Sequence, residues 1–237
     1  MENSYLGWRV LDGDRTLRRA FKKSNITNIL DYQKDQLDTA MKYCKNFRHA
    51  IDVGANYGIM SANMSKDFKK ISAFEIVPEI NHCLKENIKN FNLHNVEIYD
   101  CGLGEKEEKV FINFNPKSTF STHVSTSQES TNKVNISTLD SYNFVDVDFI
   151  KIDAEGFENF IIKGGMKTII KYNPIILYER KTNSKRYGLE KNSVLDMLAS
   201  YGYIELENIG SKNALIGVKW NKYIIIFYPI VTIILKG

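Results

Sequence analysis

His49-Ala50-Ile51-Asp52-Val53 is a short, largely apolar run that gives way at once to Gly54-Ala55-Asn56-Tyr57-Gly58. A buried strand followed by a loop with glycine at either end is the entry to an α/β unit. Glycine has no Cβ and tolerates positive φ, so a ligand can approach the backbone closely there. A dinucleotide site would read G-x-G-x-x-G and aim a helix N-terminus at a pyrophosphate. Here the pattern is D-x-G-x-N-x-G, and Asp52 stands where an approaching anion would be repelled. A cationic or zwitterionic ligand fits better, and S-adenosylmethionine carries both a sulfonium and an ammonium.

The next strand reads Ile71-Ser72-Ala73-Phe74-Glu75 and ends in a carboxylate. An acidic residue some 20 positions after the first loop accepts hydrogen bonds from ribose hydroxyls in nucleoside-binding α/β folds. Pro78 then opens a helix, where its missing N–H is harmless, and Ile80, Leu84, Ile88 and Phe91 give that helix one apolar face. Glu75 alone could be a solvated strand end. With the Asp52 loop in register ahead of it, a nucleoside contact is the better reading.

At 237 residues the chain suits one α/β domain with a substantial core. A net charge of +4 is too mild for the dense basic stripe of a nucleic-acid binder, so no nucleic-acid partner is expected. Cys44, Cys83 and Cys101 are odd in number and widely spaced, which argues against a disulfide framework or an ordinary zinc site. With no secretory signal in the first residues, a cytoplasmic setting is the default.

Strands alternate with helices, which implies a mostly parallel sheet covered on both faces. Residues 1–48 form a helical N-terminal extension, 49–219 the α/β domain, and 220–237 an apolar tail too short for the roughly 20 residues that span a bilayer. The tail reads as a buried or oligomer-facing hairpin, or as a weak in-plane membrane contact. Residues 110–138 alternate apolar and polar and form a β insertion, with a Ser/Thr-rich loop at its tip. Phe149–Asp153 and Pro174–Glu179 are the fourth and fifth strands. Tyr203–Leu206 and Ala214–Val218 follow with no helix between them, which suits an antiparallel edge.

Six segments together resemble the FkbM family of S-adenosylmethionine-dependent methyltransferases. They are Ile51-Asp52-Val53-Gly54-Ala55-Asn56-Tyr57-Gly58, Ala73-Phe74-Glu75, Cys101-Gly102-Leu103-Gly104, Ser137-Thr138-Leu139-Asp140, Asp148 to Gly156, and Pro174-Ile175-Ile176-Leu177-Tyr178-Glu179. The F-I-K-I-D-x-E-G string is the most specific. The resemblance implies a class I methyltransferase (Rossmann-like) fold: a seven-stranded, mostly parallel sheet with an antiparallel last strand and helices on both faces. It also implies O-methylation, most often of a sugar, glycan or glycosylated small molecule. In Glu75-Ile76-Val77-Pro78 the proline stands two residues later than is usual in the family, a small change to the adenosine pocket.

Under that reading Asp52, Gly54, Ala55, Asn56 and Gly58 hold the methionine end of S-adenosylmethionine. Glu75 and Ile76 meet the ribose, and Asp100, Cys101 and Gly102 form the adenine wall. Asp153, Glu155 and Glu179 stand at strand tips, where open α/β sheets bind ligands, and are the candidate catalytic groups. A sugar hydroxyl is a weak nucleophile and needs a base or a metal. Either a carboxylate acts directly, or Asp153 and Glu179 hold Mg²⁺ or Mn²⁺, since hard oxygen donors suit these ions. Blander roles are open too: Glu155 could cap the following helix, and Glu179 could pair with Lys151 or Arg180. Ser118, Thr119 and His123 in the insertion loop are candidates to cover the acceptor. The rival functions are methylation of a nitrogen or of nucleic acid, disfavoured by the absence of an N/D-P-P-Y/F motif after strand four, and a non-catalytic module that binds S-adenosylmethionine.

Overall fold

Apolar runs bounded by glycine, proline and polar loops become strands here because both of their faces are covered. The structure is a computed structural model that describes residues 4–24, 26–127, 132–207, 209 and 212–218. In chain order, a small hairpin of β1 (Ser4–Tyr5) and β2 (Trp8–Arg9) precedes helices α1 (Thr16–Ser24) and α2 (Lys34–Met41). Then come β3 (His49–Val53), α3 (Ile59–Met64), β4 (Lys70–Phe74), α4 (Pro78–Asn90) and β5 (Val96–Tyr99). The insertion holds β6 (Gly102–Leu103), β7 (Glu108–Asn113), β8 (His123–Val124) and β9 (Asn132–Ser137). The chain returns through β10 (Val147–Ile152), α5 (Glu158–Lys163), α6 (Met166–Tyr172), β11 (Ile175–Glu179), α7 (Ser193–Ala199), β12 (Tyr203–Glu207) and β13 (Asn213–Val218).

The main sheet has seven strands in the order β12-β13-β11-β10-β3-β4-β5. Neighbours from β5 through to β11 are parallel, while β13 runs antiparallel to both β11 and β12. The two final strands thus form an antiparallel edge, as the sequence suggested, with the antiparallel last strand β13 one position inside and β12 outermost. After β3 the chain builds outward on one side through β4 and β5, and later on the other side through β10 and β11. Loops leaving the carboxyl ends of β3 and β10 diverge at that switch point and leave a crevice.

Alternation along the strands feeds two cores. Ile51, Val53, Ile150, Ile152, Ile176 and Tyr178 pack under α5, α6 and α7 with Ile161, Ile169 and Leu198. Ala50, Phe149 and Leu177 face the other way, onto Leu37 of α2 and Met60 and Met64 of α3. Asp52 and Lys151 break the apolar pattern on that second face. Register places them side by side on β3 and β10, and the Lys151 ammonium lies 3.0 Å from Asp52 Oδ1. Two charges inside buried strands are tolerated because each neutralises the other.

The N-terminal segment is not purely helical, since it begins with the β1–β2 hairpin. Its Trp8, Leu17, Phe21 and Ile29 pack with Tyr57 and Ile59 and with Ile112 and Val134 of the insertion, so extension and insertion share one core. Within the insertion, β7 pairs antiparallel with β9 and β8, and β6 adds to β9 in parallel. The apolar tail, 220–237, lies outside the described residues. Among the described residues no helix is long and apolar enough to cross a membrane.

Candidate active site

A cavity of about 500 Å³ opens at the switch point, within the range of roughly 300–1,000 Å³ usual for small-molecule sites. Its floor is the loop after β3. The amides of Gly54 and Ala55 both donate to the Phe74 carbonyl, at 3.0 and 2.9 Å, which turns the chain sharply out of the strand. Gly54 has φ +74°, and a Cβ there would lie 2.0 Å from the Asp153 carbonyl oxygen. Only glycine lets the two loops touch. Asn56, at φ +51°, donates its amide to Glu75 Oε2 at 2.8 Å, and the Val77 amide donates to Glu75 Oε1 at 2.9 Å.

Glu75 is thereby held at the cavity wall with lone pairs to spare. Burial pushes its carboxyl up to about 7, against the pull of those two amides. Ile76, Gly102 and Leu103 line an apolar stretch of the wall with Ile136 and Phe157. A Cβ on Gly102 would stand 2.5 Å from Ile76 Cδ1, so the absent side chain leaves room for Ile76.

Four of the expected cofactor contacts lie elsewhere. Asp52 is fully buried beneath the loop, taken up by Lys151 and by the Ser61 hydroxyl at 2.6 Å; it supports the loop and does not line the cavity. Its charge is matched inside the sheet, so repulsion of anions is not what it supplies. Gly58 ends the loop at φ +90° and makes room for Leu84 of α4, whose Cδ1 would lie 2.5 Å from a Cβ; it serves helix packing. Asp100 pairs with Lys85 at the surface. Cys101 turns inward to Tyr142, Sγ to hydroxyl 3.1 Å, within an aromatic cluster of Phe74, Tyr99, Tyr142 and Phe144. Gly54, Ala55, Asn56, Glu75, Ile76 and Gly102 do reach the cavity.

Asp153, Glu155 and Glu179 converge on the same cavity, each with an oxygen within 4.8 Å of the others. The loop after β10 is shaped by a carboxylate missed in the sequence: Glu158 accepts from the amides of Ala154 and Gly156, both at 3.1 Å. Glu155, held at φ +51°, does not cap the helix. Its side chain reaches Asn183 and, at 3.5 Å, Lys181. Glu179 pairs with Lys181, not with Lys151 or Arg180; Arg180 belongs to Glu205. Burial, then Asp153 and Glu155, push Glu179 up to about 8. Burial also raises Glu155, with Lys181 opposing.

The N-terminal extension contributes Tyr32, Gln33 and Gln36 to the lining, and the segment near β13 adds Lys212 and Asn213. Asn213 Nδ2 donates to Gln36 Oε1 at 2.8 Å. Tyr32 titrates above its ordinary range through burial and the three nearby carboxylates. From the insertion, Thr119 and His123 reach the cavity and Ser118 does not; Ser118 Oγ instead meets Ser121 Oγ at 3.4 Å. Thr119 Oγ1 donates to Asp14 at 2.9 Å, and Tyr57 OH donates to the same carboxylate oxygen at 2.7 Å. Asp14 thus knots the extension, the insertion and the glycine loop together.

The sequence matches the family model of the Methyltransferase FkbM domain over residues 52–205, most of the chain. The protein belongs to the FkbM methyltransferase family. A crystal structure of Methyltransferase FkbM from Methylobacillus flagellatus KT superimposes with TM-score 0.51 at 16% identity, over 72% of this chain and 43% of that one. This chain therefore spans less than half of that relative. A SAM-dependent methyltransferase from Aquifex aeolicus aligns at TM-score 0.45 and 14% identity, over 85% of this chain and 98% of that one. A Streptococcus mutans protein in complex with SAH aligns at TM-score 0.48 and 13% identity, over 78% and 96%. A search of curated protein sequences finds no match. The FkbM domain is a class I, SAM-dependent methyltransferase domain.

Proposed function

We propose that the protein methylates a hydroxyl group, most readily that of a sugar or glycan, with S-adenosylmethionine as donor. The observation that carries this reading is the half-buried carboxylate cluster Asp153–Glu155–Glu179, which lines the same cavity as the Gly54–Glu75 cradle. When bound, S-adenosylmethionine supplies an electrophilic methyl group on a sulfonium. Gly54, Ala55 and Asn56 would hold its methionine end, Glu75 its ribose, and the Ile76–Gly102–Phe157 wall its adenine.

Glu179 takes the acceptor's proton. Burial and the neighbouring carboxylates push its carboxyl up to about 8, so the ionised fraction at and above neutral pH is the base. The remaining wall, with Gln33, Gln36, Asn213 and Lys212, offers amide and ammonium groups that could meet hydroxyls. Positioning of acceptor and methyl can supply as much as about 7–11 kcal/mol. Three carboxylates in the cavity disfavour a polyanionic acceptor, so nucleic acid is the poorer candidate. A divalent ion on Asp153 and Glu179 fits less well, because Lys181 already pairs with Glu179 and approaches Glu155.

The deciding experiment is a radiolabelled methyl-transfer screen against free sugars, nucleotide-linked sugars, polysaccharides and tRNA, run beside the Glu179→Gln variant. Labelling of a carbohydrate that vanishes in the variant supports the reading. Labelling of tRNA alone, or equal labelling by both proteins, overturns it.

A further inference from the structure

We propose that Lys181 stands in for a divalent metal: its ammonium is the resident counter-ion of the carboxylate cluster and positions Glu179 as the base. This rests on the hydroxyl-methylation reading above and goes on to say how the base is set. Lys181 lies just past the end of β11, two residues beyond Glu179, so a short loop delivers its side chain back over the strand tip. The ammonium pairs with Glu179 Oε1 and lies 3.5 Å from Glu155 Oε1. Asn183 Nδ2 takes the second oxygen of Glu155. With those donors in place, an ion bound between Asp153 and Glu179 would lie against an ammonium and would find Glu179 Oε1 already engaged.

Glu179 Oε2 completes the argument. It is buried and has no hydrogen-bond partner among the described residues, an arrangement that is rare in folded proteins and calls for an explanation. Lys181 ties down one oxygen, so the carboxylate cannot rotate freely, and the other is left to receive a proton. Lys181 itself touches neither proton nor methyl; it is a positioning residue, and it makes the reaction independent of added metal.

The test uses the full chain and needs no acceptor. Mn²⁺ is titrated into wild-type protein and followed by electron paramagnetic resonance, with Asp153→Asn as control. No site-bound Mn²⁺ at millimolar metal is expected; binding that Asp153→Asn abolishes overturns the proposal. In parallel, the Glu179 ¹³Cδ resonance is titrated in wild type, K181M and K181R. An opposite charge at this range lowers a carboxyl by roughly 1–3 pH units, so the K181M midpoint should rise by about that much and K181R should restore it. An unchanged midpoint in K181M overturns the proposal, and K181Q gives the same readout should K181M not fold. Failure here leaves the methyl-transfer screen unaffected, so the two readings fall separately.

Discussion

Lys151 and Asp52 form a buried ion pair across β3 and β10, Nζ to Oδ1 3.0 Å, and the same ammonium donates to the Gly54 carbonyl at 2.9 Å. The lysine thus joins the sheet to the loop that floors the cavity. Removing one partner of a buried pair leaves the other uncompensated, at about 3–5 kcal/mol. Lys151→Met should therefore lose roughly that much stability in urea unfolding. Adding Asp52→Asn should recover part of the loss. A single Lys151→Met variant as stable as wild type would show that the pair is not formed.

Gly54 and Gly102 both fill spaces that a Cβ would enter, but with unlike neighbours. At Gly54 the obstruction is backbone, the Asp153 carbonyl oxygen; at Gly102 it is the end of the Ile76 side chain, which can rotate. Calorimetry with S-adenosylhomocysteine should find Gly54→Ala weakened more than tenfold, at least about 1.4 kcal/mol, and Gly102→Ala weakened less. The reverse ranking would mean that the cofactor lies elsewhere.

Glu75 and Glu179 should separate binding from turnover. Glu75→Ala removes the acceptor of the Asn56 and Val77 amides and should abolish S-adenosylhomocysteine binding. Glu179→Gln should bind it normally and lose about 10²–10⁴-fold in kcat once an acceptor is found. Equal binding by the Glu75→Ala variant and wild type would remove the ribose assignment.

Stability should fall as pH rises through neutrality. Glu75 and Glu158 are pushed up to about 7 and Glu179 to about 8, chiefly by burial, from an ordinary value of 4.5. Between that value and about 8 the native state binds more protons than the unfolded chain, so stability declines with pH. His49, lowered by burial from 6.5, works the other way at the acid end, where protonation favours the unfolded chain. From about 6.5 to 8 the carboxyls act without it. Melting of cofactor-free protein should drop over that window, each kcal/mol lost being about 2–4 °C. A flat or rising melting curve there contradicts the burial of these groups.

Much of the site could be read from the sequence because its signals are local. Glycines at strand ends and acids at strand tips mark Gly54, Glu75, Asp153 and Glu179 without reference to distant chain. Tyr32, Gln36, Asn213 and Lys181 carry no such mark, since only tertiary packing brings them to the cavity. Asp52 was misassigned as a ligand contact for want of register. Yet a lone aspartate in A-I-D-V and a lone lysine in F-I-K-I, both in strands buried on two faces, have to neutralise one another, and that signal was present. Asp100 and Cys101 follow a different logic: the short β6 begins just after them, so the wall passes to Gly102.

The contact between Gly54 and the Asp153 carbonyl ties the cavity floor to the loop that bears the acid cluster, main chain against main chain. Neither can drift without the other, so the distance between floor and acid cluster is a property of the backbone. Divergence in what is methylated then has one place left to occur: the borrowed walls, where the leading segment and the β insertion meet over the mouth.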